Sequence, residues 1–338
     1  MADSTPFVLV DVFTEQPLEG NPLALVPDAD ALPEGLLPRI AREFHQAETT
    51  FLLRPAQPGA TWRLRSFTAA GIEVFGAGHN ALGAWWWLAS TGRLGPHVGA
   101  GRWHQQLGST VLPVEITADG NRRIEVTLEQ QAAEYGGELT DRAALAEALG
   151  VDGDGLGAAA GLPVAQVVST GAAHLMVGLR SRRVVEAARP DAARLRALLP
   201  DVGGQGVYLY ALDPAEPGAG VHARFVNPVA GITEDPATGS AAGPLACLLR
   251  RHGRAGDQLA IVQGHALGRP SQIRVTVTGD TPRVTGRAAL AATGELNLPS
   301  GELIPPRGER GTEKAAPGRG GHGPCHGRPG SSGARWHL

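Results

Sequence analysis

The chain has 338 residues and a mass of 35.0 kDa, which is enough for two ordinary domains with a core each. Its 42% hydrophobic and 19% charged residues, with 47 Gly and 26 Pro, are typical of a turn-rich globular protein and exclude coiled coils and disordered acidic chains. The formal charge of −3 without a basic face argues against nucleic-acid partners, and no stretch approaches the roughly 20 apolar residues of a membrane span.

The first elements in chain order are a hairpin and a helix. FVLVDVF (7–13) and PLALV (22–26) flank TEQPLEGN, whose Gly-Asn pair favours a turn, and they predict a β-hairpin. PEGLLPRIAREF (33–44) has apolar residues at helical spacing, although Pro38 conflicts with a helix interior. Strands follow at TTFLL and WRLRSF, a buried helix at HNALGAWWWLAS, and a strand pair at TVLPVEIT and RRIEVTLE.

A second series of elements then predicts a second half. It comprises the helix DRAALAEALG, the strands AQVVST and HLMVGL, the helix DAARLRALL, the strands GVYLYAL and HARFV, and a helix within GITEDPATGSAAGPLACLL (231–249). Strands near QLAIVQG, QIRVTVTG and RVTGRAAL close the folded part. We expect an N-terminal half at 1–120, completed by the strand near 284–298, and a C-terminal half at 121–283.

The last part of the chain has a different composition. Residues 301–338 are rich in Gly, Pro, Arg and His without apolar periodicity, and they predict a disordered tail, of a kind that a shifted reading frame in GC-rich DNA also produces. The histidines and Cys325 of the tail fit no common zinc spacing. His45 and Glu48 likewise have no third ligand nearby, so we expect no metal site.

Two segments of the chain resemble each other. Residues 70–81 (AGIEVFGAGHNA) match residues 230–241 (AGITEDPATGSA) at five positions with a constant offset of 160. Both segments follow a predicted strand and precede a predicted helix. Chance identity among small residues is one explanation, and duplication of a half is the other.

Such helix starts are suited to bind anions, because their backbone N–H groups are unpaired and carry the positive end of the helix dipole. Gly239 allows close approach of a ligand, and Ser240 can contribute a hydroxyl or cap the helix, as can Thr238. Gly78, His79 and Asn80 hold the equivalent place in the first segment. If the two helix starts face each other, the cleft between them is a pocket for a small carboxylate.

Three acidic residues are candidates for acid/base chemistry. Glu48 precedes an apolar strand, where partial desolvation raises a carboxyl pKa toward neutrality, although a capping or surface glutamate is the alternative. Asp235 lies before Pro236, where a turn-forming role is the alternative, and Glu234 can be a solvated carboxylate. His79 can be either a functional or a structural histidine.

Five blocks of sequence, taken together and in order, resemble one family. They are VDVFTEQPLEGNPLALV, HQAETTFLL, GIEVFGAGHNALGA, RFVNPVAGITEDPATGSAAGPLA and QGHALGRPSQIRVTV. From about residue 6 to residue 298 the chain resembles the PhzF family of phenazine biosynthesis. The resemblance implies an α+β protein with the diaminopimelate epimerase-like fold, in which two pseudo-symmetric domains each wrap a curved mixed β-sheet around a central helix.

The resemblance also implies an activity and roles for the site residues. The family's characterised isomerase moves a proton of trans-2,3-dihydro-3-hydroxyanthranilate from C3 to C1 without a cofactor. By similarity, Glu48 is the proton shuttle, and His79 and Asp235 hold the amino and hydroxyl groups of the substrate. The Gly239-Ser240 turn binds its carboxylate, and Gly78 and Asn80 line the opposite helix start. A cytoplasmic homodimer with neither nucleic-acid nor membrane partners is expected.

Departures from the family pattern keep other functions open. Members commonly have Pro-Phe-Ala-Gly-His-Pro where this chain has FGAGHN (75–80), so an isomerase of another amino-acid-derived intermediate is an alternative substrate assignment. Thiol-based epimerisation, as in two-base enzymes of this fold, is disfavoured because Cys247 lies inside a helix and Cys325 in the tail. A non-catalytic binding protein is a further alternative, against which the retained Glu48, His79 and Asp235 argue.

Overall fold

The computed structural model describes residues 4–95, 99–119, 123–213 and 220–299, and the predicted tail 301–338 lies outside them. Eight strands and two helices make up the first half: β1 (Ser4–Val12), β2 (Asn21–Val26), α1 (Leu37–Phe44), β3 (Glu48–Leu53), β4 (Trp62–Thr68), β5 (Glu73–Val74), α2 (His79–Ser90), β6 (Ala100–Leu107), β7 (Thr110–Ala118) and β8 (Ile124–Glu129). The hairpin predicted first is confirmed, since β1 and β2 pair antiparallel.

The second half repeats the pattern with more helices outside. Its elements are β9 (Glu134–Glu138), α3 (Arg142–Leu149), β10 (Ala165–Ser169), β11 (Ala173–Gly178), α4 (Arg182–Ala187), α5 (Ala192–Val202), β12 (Gly206–Leu212), β13 (Val221–Asn227), β14 (Ile232–Asp235), α6 (Gly239–Arg251), β15 (Gln258–Gln263), β16 (Ser271–Thr278) and β17 (Thr281–Gly286). The last strand, β18 (Ala288–Asn297), returns to pair with β1.

The two halves have the same strand order and direction. In the first half β2 runs parallel to β3, β3 antiparallel to β4, and β4 parallel to β6. The second half repeats these three steps with β11, β12, β13 and β15. An antiparallel pairing of β8 with β17 joins the halves. The limits of the halves at residues 120 and 283 stay predictions, although β8, which lies past the first limit, packs against α2 of the first half.

One apolar helix lies at the centre of each half. α2 packs against β1, β2, β3, β7 and β8, and α6 packs against β10, β11 and β15 to β17. Both helices are made of small and apolar residues that are almost entirely buried. The more polar helices lie outside, with α1 on β3 and β4, and α4 on β12 and β13. The predicted α+β architecture, a curved mixed sheet around a central helix in each half, is confirmed.

The match between residues 70–81 and 230–241 has a structural cause. β5 pairs antiparallel with β4 as β14 pairs with β13, and α2 and α6 begin exactly 160 residues apart, at His79 and Gly239. Gly71 and Gly231, in the turns before these strands, both have φ near +75°, a conformation that glycine adopts most easily. The shared residues therefore form one turn, strand and helix start in each half.

Candidate active site

Glu48 is the first residue of β3, and its carboxyl group is turned into the protein. It pairs with Leu23 of the parallel strand β2 and with Thr68 of β4, so the backbone on both sides fixes its place. Its Oε2 atom is buried and has no hydrogen-bond partner among the described residues. Burial, reinforced by the negative charge of Asp235, raises the pKa of Glu48 to about 8. A group with this pKa can both take and return a proton near neutral pH.

Asp235 ends β14, in the second half, and its carboxyl group accepts two hydrogen bonds. Asn21 Nδ2 donates to Oδ1 at 2.8 Å, and the Thr238 hydroxyl donates to Oδ2 at 2.5 Å. Burial raises the pKa of Asp235 to about 6, with a smaller contribution from the charge of Glu234, while the two donors oppose the shift. Above that pH, Asp235 therefore faces Glu48 as a carboxylate.

Gln263, at the end of β15, sets the direction of the Thr238 hydroxyl. Its Nε2 donates to Thr238 Oγ1 at 3.0 Å and to the carbonyl oxygen of Asp235 at 2.7 Å, and its Oε1 accepts from the Tyr208 hydroxyl at 2.9 Å. Because Thr238 Oγ1 accepts from Gln263, its own proton is directed at Asp235. Thr238 was expected as a possible helix cap, but its hydroxyl makes no capping bond and holds Asp235 instead.

Asn21 connects the two halves at the site. Its Nδ2 also donates to the carbonyl oxygen of Ala237 at 2.9 Å, so one amide from β2 holds the segment between β14 and α6. Its Oδ1 is buried without a hydrogen-bond partner in the part of the chain that the structure covers. The sequence placed Asn21 in a turn and missed this role; the only signal was its position within the block EGNPLALV.

His79 is the first residue of α2. Burial lowers its pKa to about 4, so the imidazole is neutral at physiological pH. Its Nε2 atom is buried and unpartnered within the described ranges. The ring nitrogen is thus available to a ligand, in agreement with the role that the sequence predicts, which itself stays a prediction.

The loop before α2 is closed by its own hydrogen bonds. Asn80 Oδ1 accepts from the Gly78 N–H at 2.7 Å, and Asn80 Nδ2 donates to Ser66 Oγ at 3.1 Å and to the carbonyl oxygen of Gly76 at 3.0 Å. The polar groups predicted to line this side of the cleft are therefore engaged with each other. Asn80 shapes the loop, and substrate binding by Gly78 and Asn80 stays a prediction.

The start of α6 has fewer internal hydrogen bonds than the loop before α2. The first helical hydrogen bonds are made by the N–H groups of Ala241 and Ala242, both to the Thr238 carbonyl, so the N–H groups of Gly239 and Ser240 precede the helical ladder. The Ser240 hydroxyl is partly exposed and lies 3.3 Å from Nε2 of His174. Two N–H groups and a hydroxyl at a helix start form a suitable site for a carboxylate.

Two other candidates from the sequence have structural roles. Glu234 forms a bidentate ion pair with Arg224, with N···O distances of 2.9 and 2.8 Å, and its charge contributes to the raised pKa of Asp235. Cys247 is buried in α6, where desolvation raises its pKa to about 11 and keeps it a neutral thiol. Cys325 lies outside the described residues, as do the tail histidines.

Metal-ligating clusters and membrane-spanning helices are both absent from the described residues. No three His, Cys, Asp or Glu side chains there are grouped so as to hold a metal ion. In the same residues, no helix is long and apolar enough to cross a membrane.

Comparisons with known proteins fit this geometry. The sequence pattern of the PhzC-PhzF family, described as phenazine biosynthesis-like protein, matches residues 10–294. The chain belongs to the PhzF family. A trans-2,3-dihydro-3-hydroxyanthranilate isomerase of Pseudomonas aeruginosa is 34% identical over 301 residues, which cover 86% of this chain and 99% of that protein.

Solved structures agree with the assignment. A phenazine biosynthesis protein of the PhzF family from Bacillus anthracis is 25% identical, with a TM-score of 0.79 over 88% of this chain and all of that one. A hydroxyproline epimerase from Agrobacterium vitis, with 15% identity and a TM-score of 0.60 over 88% of this chain and 92% of that one, shares the fold. This PhzF-family protein is therefore an isomerase.

Proposed function

We propose that this PhzF-family isomerase transfers a proton within trans-2,3-dihydro-3-hydroxyanthranilate, or a close carboxylate analogue, using Glu48 as its only acid/base. The observation that carries the proposal is the buried Glu48 carboxyl, with an unpartnered Oε2 and a pKa near 8, beside Asp235 from the other half. The name of the P. aeruginosa relative supports the substrate.

The reaction begins with an ionised Glu48. Its carboxylate takes the proton from C3, the electron pair of that C–H bond moves through the conjugated system, and the same carboxyl returns the proton at C1. The enol that results becomes a ketone. No redox step is involved, and Glu48 ends the cycle in the form in which it began.

The other residues hold the substrate in place. Neutral His79 and ionised Asp235 contact the amino and hydroxyl groups of the substrate, and the N–H groups of Gly239 and Ser240 with the Ser240 hydroxyl bind its carboxylate. Asn21 and Thr238 keep Asp235 oriented toward the cleft. Assembly as a homodimer and a cytoplasmic location stay predictions from the sequence.

A related amino-acid-derived carboxylate is the second candidate substrate. It is favoured by the closed Gly76–Asn80 loop, whose asparagine replaces the proline common in the family, and by Phe75, which is 45% exposed beside it. These changes alter the wall of the cleft next to His79 and leave Glu48 and the start of α6 unchanged.

The test is incubation with trans-2,3-dihydro-3-hydroxyanthranilate in D₂O, following substrate loss and deuterium incorporation. We expect turnover in the native protein and a loss of about 10³-fold in Glu48→Gln, because removal of a general acid/base costs about 10² to 10⁴ in rate. Glu43→Gln, at an exposed carboxyl of α1, is the matched control and keeps full activity. Turnover that survives in Glu48→Gln would contradict the role of Glu48; no turnover by the folded native protein would remove this substrate.

A further inference from the structure

His174 is a buried histidine outside the set of residues used above. It lies on β11, is 2% exposed, and packs the edge of its ring against Phe225 at a centroid distance of 4.9 Å. The position opposite in the parallel strand β12 is Gly206, whose added Cβ would lie 3.1 Å from His174 Nδ1 and 2.6 Å from the Phe225 ring. The absence of a side chain at Gly206 thus makes room for this ring.

The two ring nitrogens of His174 have different surroundings. Nε2 lies 3.3 Å from the Ser240 hydroxyl, whereas Nδ1 is buried with no hydrogen-bond partner among the residues described. Burial lowers the pKa of His174 to about 4, so near pH 7 the ring carries a single proton. Because a buried N–H without a partner is rarer and costlier than an unused acceptor, that proton belongs on Nε2.

This tautomer decides whether the Ser240 hydroxyl donates a hydrogen bond to a ligand or accepts one from it. When Nε2–H donates to Ser240 Oγ, the hydroxyl proton of Ser240 is left to point elsewhere. Ser240 is the second residue of α6, where the N–H groups of Gly239 and Ser240 also lack helical partners. The two N–H groups and the Ser240 hydroxyl are then all hydrogen-bond donors at one helix start. This arrangement favours a carboxylate, which only accepts hydrogen bonds, over a ligand group that must itself donate one.

We propose that His174 is a positioning residue that fixes the Ser240 hydroxyl as a donor and so makes the start of α6 selective for a carboxylate. The inference rests on the proposed function for the identity of the site and extends it to a residue outside the substrate's reach.

The test measures binding of a stable aromatic probe, 3-hydroxyanthranilate, and of its carboxamide, 2-amino-3-hydroxybenzamide, by calorimetry. His174→Phe keeps a flat ring against Phe225 but removes the donor, and His174→Gln keeps an N–H at a similar reach. We expect His174→Phe to weaken carboxylate binding about tenfold, the effect of one hydrogen bond to a charged group, while carboxamide binding changes less. His174→Gln should restore most of the affinity for the carboxylate.

A double-mutant cycle with Ser240→Ala separates positioning from packing. If His174 acts through Ser240, His174→Phe has no further effect on the Kd of 3-hydroxyanthranilate once Ser240 is alanine. Additive effects, or equal losses for acid and amide, would overturn the proposal, as would failure of the folded native protein to bind the carboxylate probe. In turnover, the KM of His174→Phe rises with kcat nearly unchanged.

The outcome is independent of the substrate assignment. A coupled cycle in a protein that does not turn over dihydrohydroxyanthranilate would keep the role of His174 and remove the proposed substrate. Glu48-dependent turnover together with additive effects of His174→Phe and Ser240→Ala would keep the proposed substrate and remove the role of His174.

Discussion

In the first half, β3 begins with Glu48, which pairs with Leu23 of the parallel strand β2. In the second half, β12 begins with Gly206, which pairs with His174 of the parallel strand β11. The two positions are equivalent in strand order, yet one carries a buried carboxyl close enough to Asp235 to feel its charge and the other carries no side chain. Gly206 instead leaves room for His174, which contacts Ser240 at the start of α6, the proposed carboxylate site.

The same division holds at the two helix starts. With the offset of 160, Phe75 corresponds to Asp235 and Asn80 to Ser240. The Asn80 amide is bonded inside its loop, whereas Ser240 is partly exposed and its hydroxyl contacts His174 of another strand. In the proposed function, the repeated backbone thus supports two different tasks: Glu48 of the first half transfers the proton, and the start of α6 in the second half binds the carboxylate. This division fits one-base proton transfer better than two-base epimerisation.

The strongest test of this division is Asp235→Asn, which removes the carboxylate of the second half whose charge acts on Glu48. We expect kcat/KM to fall about 10³-fold, because substrate contact and orientation are lost together. The charge of Asp235 contributes to the raised pKa of Glu48, so the rise of the residual activity with pH should move to lower pH than about 8. Burial is the larger cause, and it keeps the apparent pKa above 4.5.

Measurement of kcat/KM between pH 5 and pH 9 decides this prediction. Asp201→Asn, at an exposed position in α5, is the control and should leave both rate and profile unchanged. A residual activity that follows the native pH profile would mean that Asp235 and Glu48 do not interact electrostatically.

A smaller effect is expected from Glu48→Gln on the free energy of unfolding and its dependence on pH. Glu48 has a pKa raised from 4.5 to about 8 in the folded protein, so it binds its proton more tightly there than in the unfolded chain. Its contribution is therefore full below about pH 4.5 and is lost as the pH rises through 8. Glu48→Gln, which stays neutral, should unfold like the native protein at pH 5 and be more stable at pH 9, by on the order of 3 kcal/mol.

Thermal unfolding at both pH values tests the sign. A difference in Tm that grows from pH 5 to pH 9 is the expected result, at about 2 to 4 °C per kcal/mol for a domain of this size. Parallel curves for native protein and variant would mean that the Glu48 carboxyl is solvated in the folded state.

Much of this arrangement could be predicted from sequence because its signals are local. Hairpin, helix and turn patterns lie within a few residues, and Pro38, which conflicted with a helix interior, is in the first turn of α1, where its missing N–H is not needed. The strand β6 was not predicted, because its sequence AGRWHQQL is polar. Its buried Gln105 accepts from the indole of Trp85, and Gln106 accepts from the N–H groups of Ala56 and Gln57.

The same reasoning explains which site residues were missed. Asn21 bonds to Asp235 from 214 positions away, and His174 contacts Ser240 from 66 positions away. His174 belongs to none of the family-like blocks, and Asn21 lies in one only as part of a turn pattern. Neither long-range contact produces a periodic pattern in the sequence. Glu48, His79 and Asp235 could be proposed from the sequence because each lies at the end of an element within a block that resembles the family; their roles stay predictions.

The smallest effects are expected from alanine substitutions at the equivalent positions Asn80 and Ser240. Asn80→Ala removes three hydrogen bonds. Ser66 keeps its bond to the Thr50 hydroxyl, but the Gly78 N–H and the Gly76 carbonyl must find other partners, so the change should cost about 1 to 3 kcal/mol of unfolding free energy. Ser240→Ala removes a single contact of 3.3 Å but leaves the Nε2–H of the buried His174 to find another partner, so it should cost about 0.5 to 1.5 kcal/mol, less than Asn80→Ala. Binding of 3-hydroxyanthranilate should show the opposite order, with the larger loss in Ser240→Ala. Denaturant unfolding and calorimetry on the two variants test both orders, and equal stability losses would mean that the hydroxyl of Ser240 is as structural as the amide of Asn80.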